Sequence, residues 1–265
     1  MKAEEKQVLY SFFKTASDYF SGYKSYEKIP EFTDDTEGIS FTEESRQDKN
    51  GSGLFSVKPV SEERTANETF LISEELSRIA EAVSLCTGCG LCSFRKNVVP
   101  GEGPYNFSNF QNIIDVMVIG EGPGADEDVQ GRPFVGKAGQ LLDKMLSAID
   151  LFRDRNCFIA NIVKCRPPNN RDPLPEESNA CRKFLEAQIA AIKPKAILAV
   201  GRVALQNLLD TKEGITKLHG KFLEYKGIPF MATYHPSALL RDVNLKRPAW
   251  EDLKLFRSKL EELIR

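Results

Sequence analysis

The amino-acid sequence predicts an α/β fold, a three-layer α/β/α sandwich around a central, mostly parallel sheet of four strands. Three observations support this prediction. Short apolar runs alternate with longer amphipathic segments along most of the chain, as in parallel sheets that carry helices on both faces. Hydrophobic residues make up 41% of the 265 residues, which is enough for one sizeable core. Polar or glycine-rich motifs follow three of the apolar runs.

The predicted elements follow one another in a regular order. Residues 71–83 open with a serine ahead of two glutamates and repeat apolar residues at helical spacing, so they predict a helix. Further helices are predicted over residues 139–149, 176–192, 203–209 and 250–264. The four strands are predicted over residues 113–119, 157–163, 196–200 and 230–233.

The first 68 residues depart from this pattern. Gln7 to Phe20 read Q-V-L-Y-S-F-F-K-T-A-S-D-Y-F, with apolar residues at three- and four-residue steps. Residues 1–26 are therefore predicted to form an amphipathic helix that docks on the body or on a protein partner. Residues 27–68 are polar and hold few large apolar side chains, which predicts a flexible linker. Residues 69–265 are the main domain in this interpretation.

The formal net charge of -2 conceals two regions of opposite charge. Residues 1–85 hold 10 Lys/Arg and 17 Asp/Glu, whereas residues 86–265 hold 26 and 21. A mildly basic body fits a protein that contacts a polyanion such as nucleic acid. No run approaches the roughly 18–20 apolar residues of a membrane-spanning helix, and the start of the chain lacks the regions of a signal peptide. We therefore expect a cytoplasmic protein with no membrane segment.

Six cysteines in a reducing compartment favour metal ligation over disulfides. Cys86-x2-Cys89 together with Cys165 and Cys181 offers four thiolates, a set that suits either zinc or a cluster of four irons and four sulfurs. Cys92 leaves an alternative open, because C-x2-C-x2-C also resembles the start of a ferredoxin-type run. The sixth cysteine, at position 157, lies inside a strand pattern and is expected to be a buried hydrophobic residue.

Polar motifs follow three predicted strands: G-E-G-P-G over 120–124, K-C-R-P-P over 164–168, and His235-Pro236-Ser237. Ligands of open parallel sheets bind beyond the carboxyl ends of the strands, so these motifs are expected to share one edge. The glycine loop matches no dinucleotide or phosphate fingerprint and is equally compatible with a tight turn. His235 is expected to be fixed at this edge and suited to hydrogen bonding or proton chemistry.

The remaining polar and aromatic positions are less specific. Phe134 lies between two glycines in G-R-P-F-V-G, where a ring has little to pack against, so stacking on a base is a sensible role. His219 in K-L-H-G is most simply an ordinary loop residue. The acidic run over 126–128 is expected to be solvated surface.

Three long motifs, taken together, resemble the family 4 uracil-DNA glycosylases, which are the iron–sulfur branch of their superfamily. They are G-E-G-P-G-A-D-E-D-V-Q-G-R-P-F-V-G-K-A-G over 120–139, N-I-V-K-C-R-P-P-N-N-R over 161–171 and H-P-S-A-L-L-R over 235–241. The resemblance extends from about Ser84 to the end of the chain. It implies a monomeric enzyme whose catalytic domain, residues 69–265, hydrolyses the N-glycosidic bond of uracil flipped out of DNA.

The resemblance also implies a cofactor and a set of site residues. A [4Fe-4S] cluster would be held by Cys86, Cys89, Cys165 and Cys181. Phe134 would stack on uracil, Asn161 would bind its polar edge, His235 would contact its O2 atom, and Glu127 would crowd the position of thymine's methyl group.

Other residues are assigned with less support from the family pattern. Gly122, which would lie against the substrate, takes the place where other branches carry a water-guiding Asp or Asn, so Glu121 is the preferred water-activating group over Asp126 and Asp128. His219 stands where many relatives carry arginine. In the segment after His235, Leu239 and Leu240 are read as loop residues that fill the gap left by the base, and Ser237 and Arg241 as further DNA contacts, with Arg241 on phosphate.

Two other functions remain open on the sequence. One is a non-enzymatic iron–sulfur module that binds DNA or accompanies a polymerase. The other is a glycosylase for a different base, such as hypoxanthine or a damaged pyrimidine, in the same pocket.

Overall fold

The computed structural model describes residues 66–106 and 114–264. The helix predicted within residues 1–26, and the linker up to residue 65, lie outside the described residues. The first described helix, α1 (Ala66–Ser84), includes the last three residues assigned to the linker. Within the described ranges, no helix combines the length and apolar character needed to cross a bilayer.

A mixed sheet forms the centre of the described structure. Its strands are β1 (Val116–Gly120), β2 (Cys157–Asn161), β3 (Ala196–Val200), β4 (Phe222–Tyr225) and β5 (Ile228–Thr233). The strands are arranged in the order β2-β1-β3-β5-β4, with β4 antiparallel to β5 and the other pairings parallel. The four predicted strands are confirmed as the parallel ones.

The prediction of four strands was wrong by one, because β4 was missed. This strand forms a hairpin with β5 through Lys226 and Gly227, which both have positive φ angles of 50° and 83°. Two such residues make the type I′ turn that suits hairpins, but Lys-Gly is a weaker sequence signal than Asn-Gly. The strand also lies at the sheet edge and is only partly buried, so it lacks the continuous apolar run that marked the others.

Helices cover both faces of the sheet. Alternate residues of β1 show the two sides: Met117 and Ile119 belong to one buried cluster, Val116 and Val118 to the other. The first cluster receives side chains from α1, α4 (Pro175–Ile192) and α5 (Arg202–Leu209). The second receives them from α3 (Lys137–Ser147), α7 (Pro236–Arg241) and α8 (Lys246–Ile264). The predicted three-layer α/β/α architecture is therefore confirmed.

Three short helices had not been predicted: α2 (Ala125–Gln130), α6 (Ile215–Leu218) and α7. The acidic run expected on the surface forms the first turn of α2, where carboxylates suit the positive end of the helix. The segment after His235, expected as a loop, is helical because Pro236 occupies its first position and the His235 side chain caps it.

The strand register brings the functional motifs to one edge. Gly120 at the end of β1 pairs with Asn161 at the end of β2, and Val200 of β3 pairs with Thr233 of β5. Because these four strands are parallel, their carboxyl ends lie together and the loops that follow them are neighbours.

A segment before β1 supports the outer side of β2. Glu102 forms an antiparallel bridge with Ile159, in which its N–H donates to the Ile159 carbonyl at 2.9 Å and its carbonyl accepts at 2.7 Å. Gly101, with φ of 138°, and Gly103 lie so close to the Phe158 ring that neither position has room for a Cβ. This contact brings the carboxylate of Glu102 towards the same edge as the functional motifs.

Candidate active site

The space above Gly120 is shared by two of the predicted site residues. A Cβ atom at Gly120 would lie 2.5 Å from Cζ of Phe134 and 2.6 Å from Oδ1 of Asn161. Glycine at this strand end therefore makes room for both side chains. The ring of Phe134 also lies 5.7 Å from the ring of His235, measured between centroids, at an interplanar angle of 34°. Phe134, Asn161 and His235 thus meet at the carboxyl edge of the sheet.

Asn161 presents an unsatisfied polar atom. Its side chain is 1% exposed, and its Oδ1 atom has no hydrogen-bond partner among the residues that the structure describes. A buried acceptor without a partner costs about 1–3 kcal/mol. Such an atom is able to accept a hydrogen bond from a ligand.

His235 is held as a neutral hydrogen-bond donor. Its Nδ1 atom accepts the backbone N–H of Ser237 at 3.1 Å and lies 2.8 Å from the Ser237 hydroxyl. A backbone N–H can only donate, so the proton of the neutral ring must lie on Nε2. Burial, with a smaller contribution from Arg241 and against the opposing effect of Glu127, lowers the pKa of His235 to about 4.

The residue that follows β3 makes room for this imidazole. A Cβ at Gly201 would lie 2.9 Å from Cβ of His235, and Gly201 has a φ of 100°, which few other residues adopt. Ser237, predicted as a DNA contact, therefore has a second role that the sequence did not indicate, because it orients the histidine ring.

The structure separates the three candidates for water activation. Burial and the neighbouring Asp172, opposed by Arg202, raise the pKa of Glu121 to about 7, a value suited to a general base. Asp128 is buried, and its Oδ1 accepts the backbone N–H of Lys96 at 2.8 Å, so it anchors a loop. Asp126 is exposed. The raised pKa of Glu121 is compatible with the preference for this residue, and its role as the water-activating group stays a prediction.

Glu127 uses both carboxylate oxygens to hold backbone. Oε1 accepts the N–H groups of Val135 at 2.9 Å and Gly136 at 3.0 Å, and Oε2 accepts that of Gly124 at 3.1 Å. The carboxylate therefore fastens the glycine loop to the Phe134 loop. Its expected contact with thymine's methyl group stays a prediction.

Gly122 offers only backbone to a ligand. A Cβ at this position would lie 2.7 Å from Cγ2 of Val163, so the glycine loop packs directly against the residues that follow β2. No water-guiding side chain fits there, in agreement with the departure seen in the sequence.

The helix α7 changes the interpretation of the two leucines. Leu239 is 3% exposed and packs in the core, so the expectation that it fills a gap in the DNA stack was wrong. The reason is helical geometry, which turns neighbouring side chains to different faces. Leu240 is 46% exposed and Arg241 is exposed, so both remain available to DNA.

Four of the cysteines belong to or pack against one hydrophobic cluster, and we call them the thiol corner (Cys86, Cys89, Cys165 and Cys181). Cys165 and Cys181 are buried in one hydrophobic cluster, and Cys86 and Cys89 pack against it. Cys92 does not belong to this cluster. Among the described residues, no three His, Cys, Asp or Glu side chains form a group that could hold a single metal ion.

Hydrogen bonds from nitrogen reach three of these sulfurs. The backbone N–H of Gly88 lies 3.4 Å from Sγ of Cys86, and that of Lys164 lies 3.3 Å from Sγ of Cys181. Arg95 Nη1 donates to Sγ of Cys165 at 3.2 Å. Such donors favour the thiolate, the form that binds metal. They oppose burial, which is the larger effect and raises the pKa of Cys165 and that of Cys181, the latter to about 11.

Cys157 has none of these features. It belongs to the cluster on the other face of the sheet. Burial raises its pKa to about 12, so it is an inert core thiol, as its place in the strand pattern predicted.

Several charged residues that support the site were not predicted from the sequence. Lys164 is fully buried, and its Nζ donates to the Asn161 carbonyl at 3.0 Å and to Gln188 Oε1 at 2.8 Å. Arg153 and Glu102 hold the Phe134 loop. The only signal for Lys164 was its position beside a cysteine. The two others occupy polar stretches that resemble ordinary surface.

His219 lies outside the site. Its Nδ1 lies 3.0 Å from Asp252 Oδ1, and its ring lies 4.7 Å from that of Tyr234. Thr233 donates to the same carboxylate at 2.7 Å. These contacts tie the end of β5 to α8, which is a structural role.

Comparisons with known proteins agree with this geometry. The sequence model of the Uracil DNA glycosylase superfamily matches residues 107–254. A Type-4 uracil-DNA glycosylase of Thermotoga maritima is 43% identical over 194 residues, which cover 71% of this chain and 97% of that protein. A second, of Sulfurisphaera tokodaii, is 42% identical over 193 residues, covering 69% and 84%. A Type-5 uracil-DNA glycosylase of Pyrobaculum aerophilum is 35% identical, covering 63% and 84%.

Proposed function

Because this chain belongs to the uracil-DNA glycosylase superfamily, in its type-4 group, we propose that it removes uracil from DNA during base excision repair. The enzyme hydrolyses the N-glycosidic bond and leaves an abasic site. The observation that carries the proposal is the meeting of Phe134, Asn161 and His235 at one strand edge, with the Asn161 acceptor unpaired within the described part of the chain.

Recognition of uracil follows from the Asn161 acceptor. Uracil carries a proton on N3, which would donate to Oδ1 of Asn161, whereas cytosine presents a lone pair at the same position. A site built to accept a hydrogen bond rejects a base that lacks the donor, because the buried polar atoms then stay unpaired. Phe134 would cover the face of the flipped base, with stacking worth about 1–3 kcal/mol.

Cleavage follows from the protonation state of His235. Negative charge develops on the departing uracil, so a fixed donor at its O2 atom binds the transition state more tightly than the ground state. The Nε2–H of the neutral His235 ring would supply this donor. With a pKa of about 4, the ring keeps this form throughout the physiological range.

The attacking water requires a base. We assign this role to Glu121, whose raised pKa of about 7 leaves a useful fraction ionised at neutral pH.

The target uracil reaches this site by flipping out of the duplex, which costs a few kcal/mol of unstacking. Leu240 would occupy part of the gap and Arg241 would bind phosphate, since both are exposed on α7.

We propose that the thiol corner holds a [4Fe-4S] cluster. Four thiols from three separate segments, with N–H donors on three of them, fit the ligand set of such a cluster. When bound, it would cross-link these segments beside the strand that ends at Asn161. A brown protein that absorbs near ~400 nm and contains iron and sulfide is expected. A colourless preparation that binds only zinc, made without air, would contradict the assignment.

We further infer that the enzyme acts as a monomer in the cytoplasm and that the segment before its main domain, residues 1–68, is a tether. The proposed site residues require no contribution from a second copy, and the proposed cluster requires cysteines that are not paired in disulfides, as a reducing compartment keeps them. Residues 1–26 would serve a protein partner. Deleting residues 1–65 is expected to leave the rate on a short oligonucleotide unchanged, and a single species of monomer mass is expected in light scattering.

The test of the function is excision from a panel of duplex and single-stranded oligonucleotides that each carry one uracil, hypoxanthine, cytosine or thymine. Abasic product is measured by alkaline cleavage under single-turnover conditions. We expect product from uracil and none from cytosine or thymine. If cluster-loaded protein forms no product from uracil, the alternative of a non-enzymatic DNA-binding module is favoured. If it prefers hypoxanthine, the alternative of a glycosylase for a different base is favoured.

A further inference from the structure

The backbone of Phe134 is held in an unfavourable conformation. Its φ angle is 52°, in the left-handed region that residues other than glycine rarely adopt. The carbonyl of Phe134 also points at Gly139 so closely that a Cβ there would overlap it. Such a conformation persists only where surrounding groups hold it, and it often marks a functional position.

One end of this backbone segment is held by Arg153. Its Nη1 donates to the carbonyl of Pro133 at 2.9 Å, and its Nη2 donates to the carbonyl of Phe134 at 3.0 Å. A single guanidinium therefore binds two successive carbonyls, which fixes both peptide planes. A lysine has no planar pair of donors and cannot reproduce this contact.

The other end is held by a carboxylate of opposite charge. The peptide group that follows Phe134 directs its carbonyl at Arg153 and its N–H, from Val135, at Glu127 Oε1 at 2.9 Å. The dipole of this one peptide is therefore aligned between a cation and an anion. Rotation of this peptide breaks both hydrogen bonds. The peptide before Phe134, whose rotation changes the φ angle of Phe134, is held through the Pro133 carbonyl by the same Arg153.

Further acidic side chains hold Arg153 in place. Asp143 Oδ1 accepts from Nη2 at 2.6 Å and from Nε at 3.0 Å, and Glu102 Oε1 lies 3.5 Å from Nη1. Glu102 is buried and also forms a bidentate pair with Arg132, at 2.8 Å for both bonds. The side chains of Arg153 and Glu102 are only 13% and 4% exposed, so this pair is shielded from the screening that weakens surface ion pairs.

We propose that Arg153 is a positioning residue for uracil recognition, which sets the stacking ring of Phe134 over the pocket by clamping its backbone. The inference rests on the proposed function for its substrate. Because stacking contributes to the bound complex and to the transition state alike, loss of the clamp raises KM and changes kcat little.

A double-mutant cycle between Arg153→Gln and Phe134→Ala tests this role. Phe134→Ala is expected to raise KM by about tenfold to a hundredfold, and Arg153→Gln by about tenfold with kcat within about threefold. If Arg153 acts through the ring, the double variant has the KM of Phe134→Ala alone. An equal loss from Arg153→Gln in both backgrounds, or a loss in kcat without one in KM, overturns the proposal.

Two further variants guard against a simple loss of folding. Asp143→Asn removes the charge of an exposed carboxylate that orients Arg153. It is also expected to raise KM, by a smaller factor than Arg153→Gln. Arg155→Gln removes the same charge two residues away, from a side chain that stacks on Phe152 and is 57% exposed. It is the matched control and is expected to keep the KM and kcat of the wild-type protein.

Hydrogen exchange gives a readout that does not depend on the activity. The N–H groups of Val135 and Gly136 are expected to exchange slowly in the wild-type protein and faster in Arg153→Gln, in a peptide covering residues 131–138. If the wild-type protein forms no abasic product, the proposed function fails, while exchange still decides whether the clamp exists. Unchanged exchange in Arg153→Gln overturns the clamp even in an active enzyme.

Discussion

Two regions lie on either side of a short segment after β2: the strand-edge pocket (Phe134, Asn161 and His235) and the thiol corner. They differ in how their polar groups are satisfied. In the first, Asn161 Oδ1 has no partner among residues 66–106 and 114–264, and the φ angle of Phe134 is strained. In the thiol corner, the two most buried sulfurs, of Cys165 and Cys181, each receive an N–H donor. The comparison shows that an acceptor stays available for a ligand at the pocket, whereas in the thiol corner the nitrogen donors are bonded to sulfur atoms of the protein itself.

Lys164 joins the two regions. Its backbone N–H reaches Sγ of Cys181 and its Nζ reaches the carbonyl of Asn161. Burial lowers the pKa of this amine to about 8. Uracil affinity and iron retention are therefore expected to change together when Lys164 is substituted. They are expected to change separately when other residues of the two regions are substituted.

The largest effect is expected at the corner. Cys181→Ser should remove nearly all bound iron and lower the melting temperature, because a hydroxyl does not replace a buried thiolate ligand. Iron and sulfide per chain and the absorbance near ~400 nm are the measurements. Cys157→Ala and Cys92→Ser are matched controls that should keep the iron. Loss of iron in Cys92→Ser with retention in Cys181→Ser would favour the alternative ligand set.

The next effect is expected at the pocket. His235→Ala should lower the single-turnover excision rate by about 10²–10³-fold, the usual result of removing one donor to a developing oxyanion, with the iron content unchanged. The matched control is His219→Ala, which should lower stability through the lost Asp252 contact and leave the rate of the chemical step intact. A His235→Ala enzyme with a normal rate would remove this histidine from the mechanism.

A smaller and shared effect is expected from Lys164→Met, which keeps the volume of the side chain and removes its donors. The Asn161 carbonyl and Gln188 Oε1 then lose a partner, at about 1–3 kcal/mol each. Uracil affinity should fall because Asn161 loses its support, and iron retention should fall because the Lys164 charge, which lowers the pKa of Cys181, is removed. Both are measured on the same preparation. A change in one without the other would show that the two regions are independent.

The smallest effect is expected from the titration of Glu121. A base with a pKa of about 7 must lose its proton to act, so the excision rate should rise with pH by about tenfold between pH 6 and pH 8. Glu121→Gln should be slower and should lack this rise. A pH profile that stays the same in the variant would assign the titration to another group.

The same carboxyl should also affect stability. Its pKa is raised on folding, so the folded state is favoured below the ordinary glutamate pKa and loses this contribution as pH rises towards about 7. Glu121→Gln is therefore expected to raise the melting temperature at pH 8 and to leave it nearly unchanged at pH 4. A lower melting temperature at pH 8 would contradict the assigned pKa.

Much of the fold was readable from the sequence because it depends on local patterns. Strands buried on both faces give continuous apolar runs, and the four parallel strands were found in this way. The edge strand β4 and the short helix α7 were missed, since the first is half exposed and the second is only six residues long. Leu239 was misassigned for the same reason, as the periodicity of so short a helix is hard to recognise.

The sequence by itself determined the parallel strands, the motifs that follow them, and the residue types of the pocket, because parallel strands bring their carboxyl ends to one edge wherever they lie along the chain. Tertiary structure alone decided which groups meet there. The pairing of Arg153 with the Phe134 carbonyl, the hydrogen bond of Arg95 to the Cys165 sulfur, and the protonation of His235 on Nε2 depend on contacts between distant segments or on burial. Hydrogen bonds and pKa values follow from such surroundings, which no local pattern specifies.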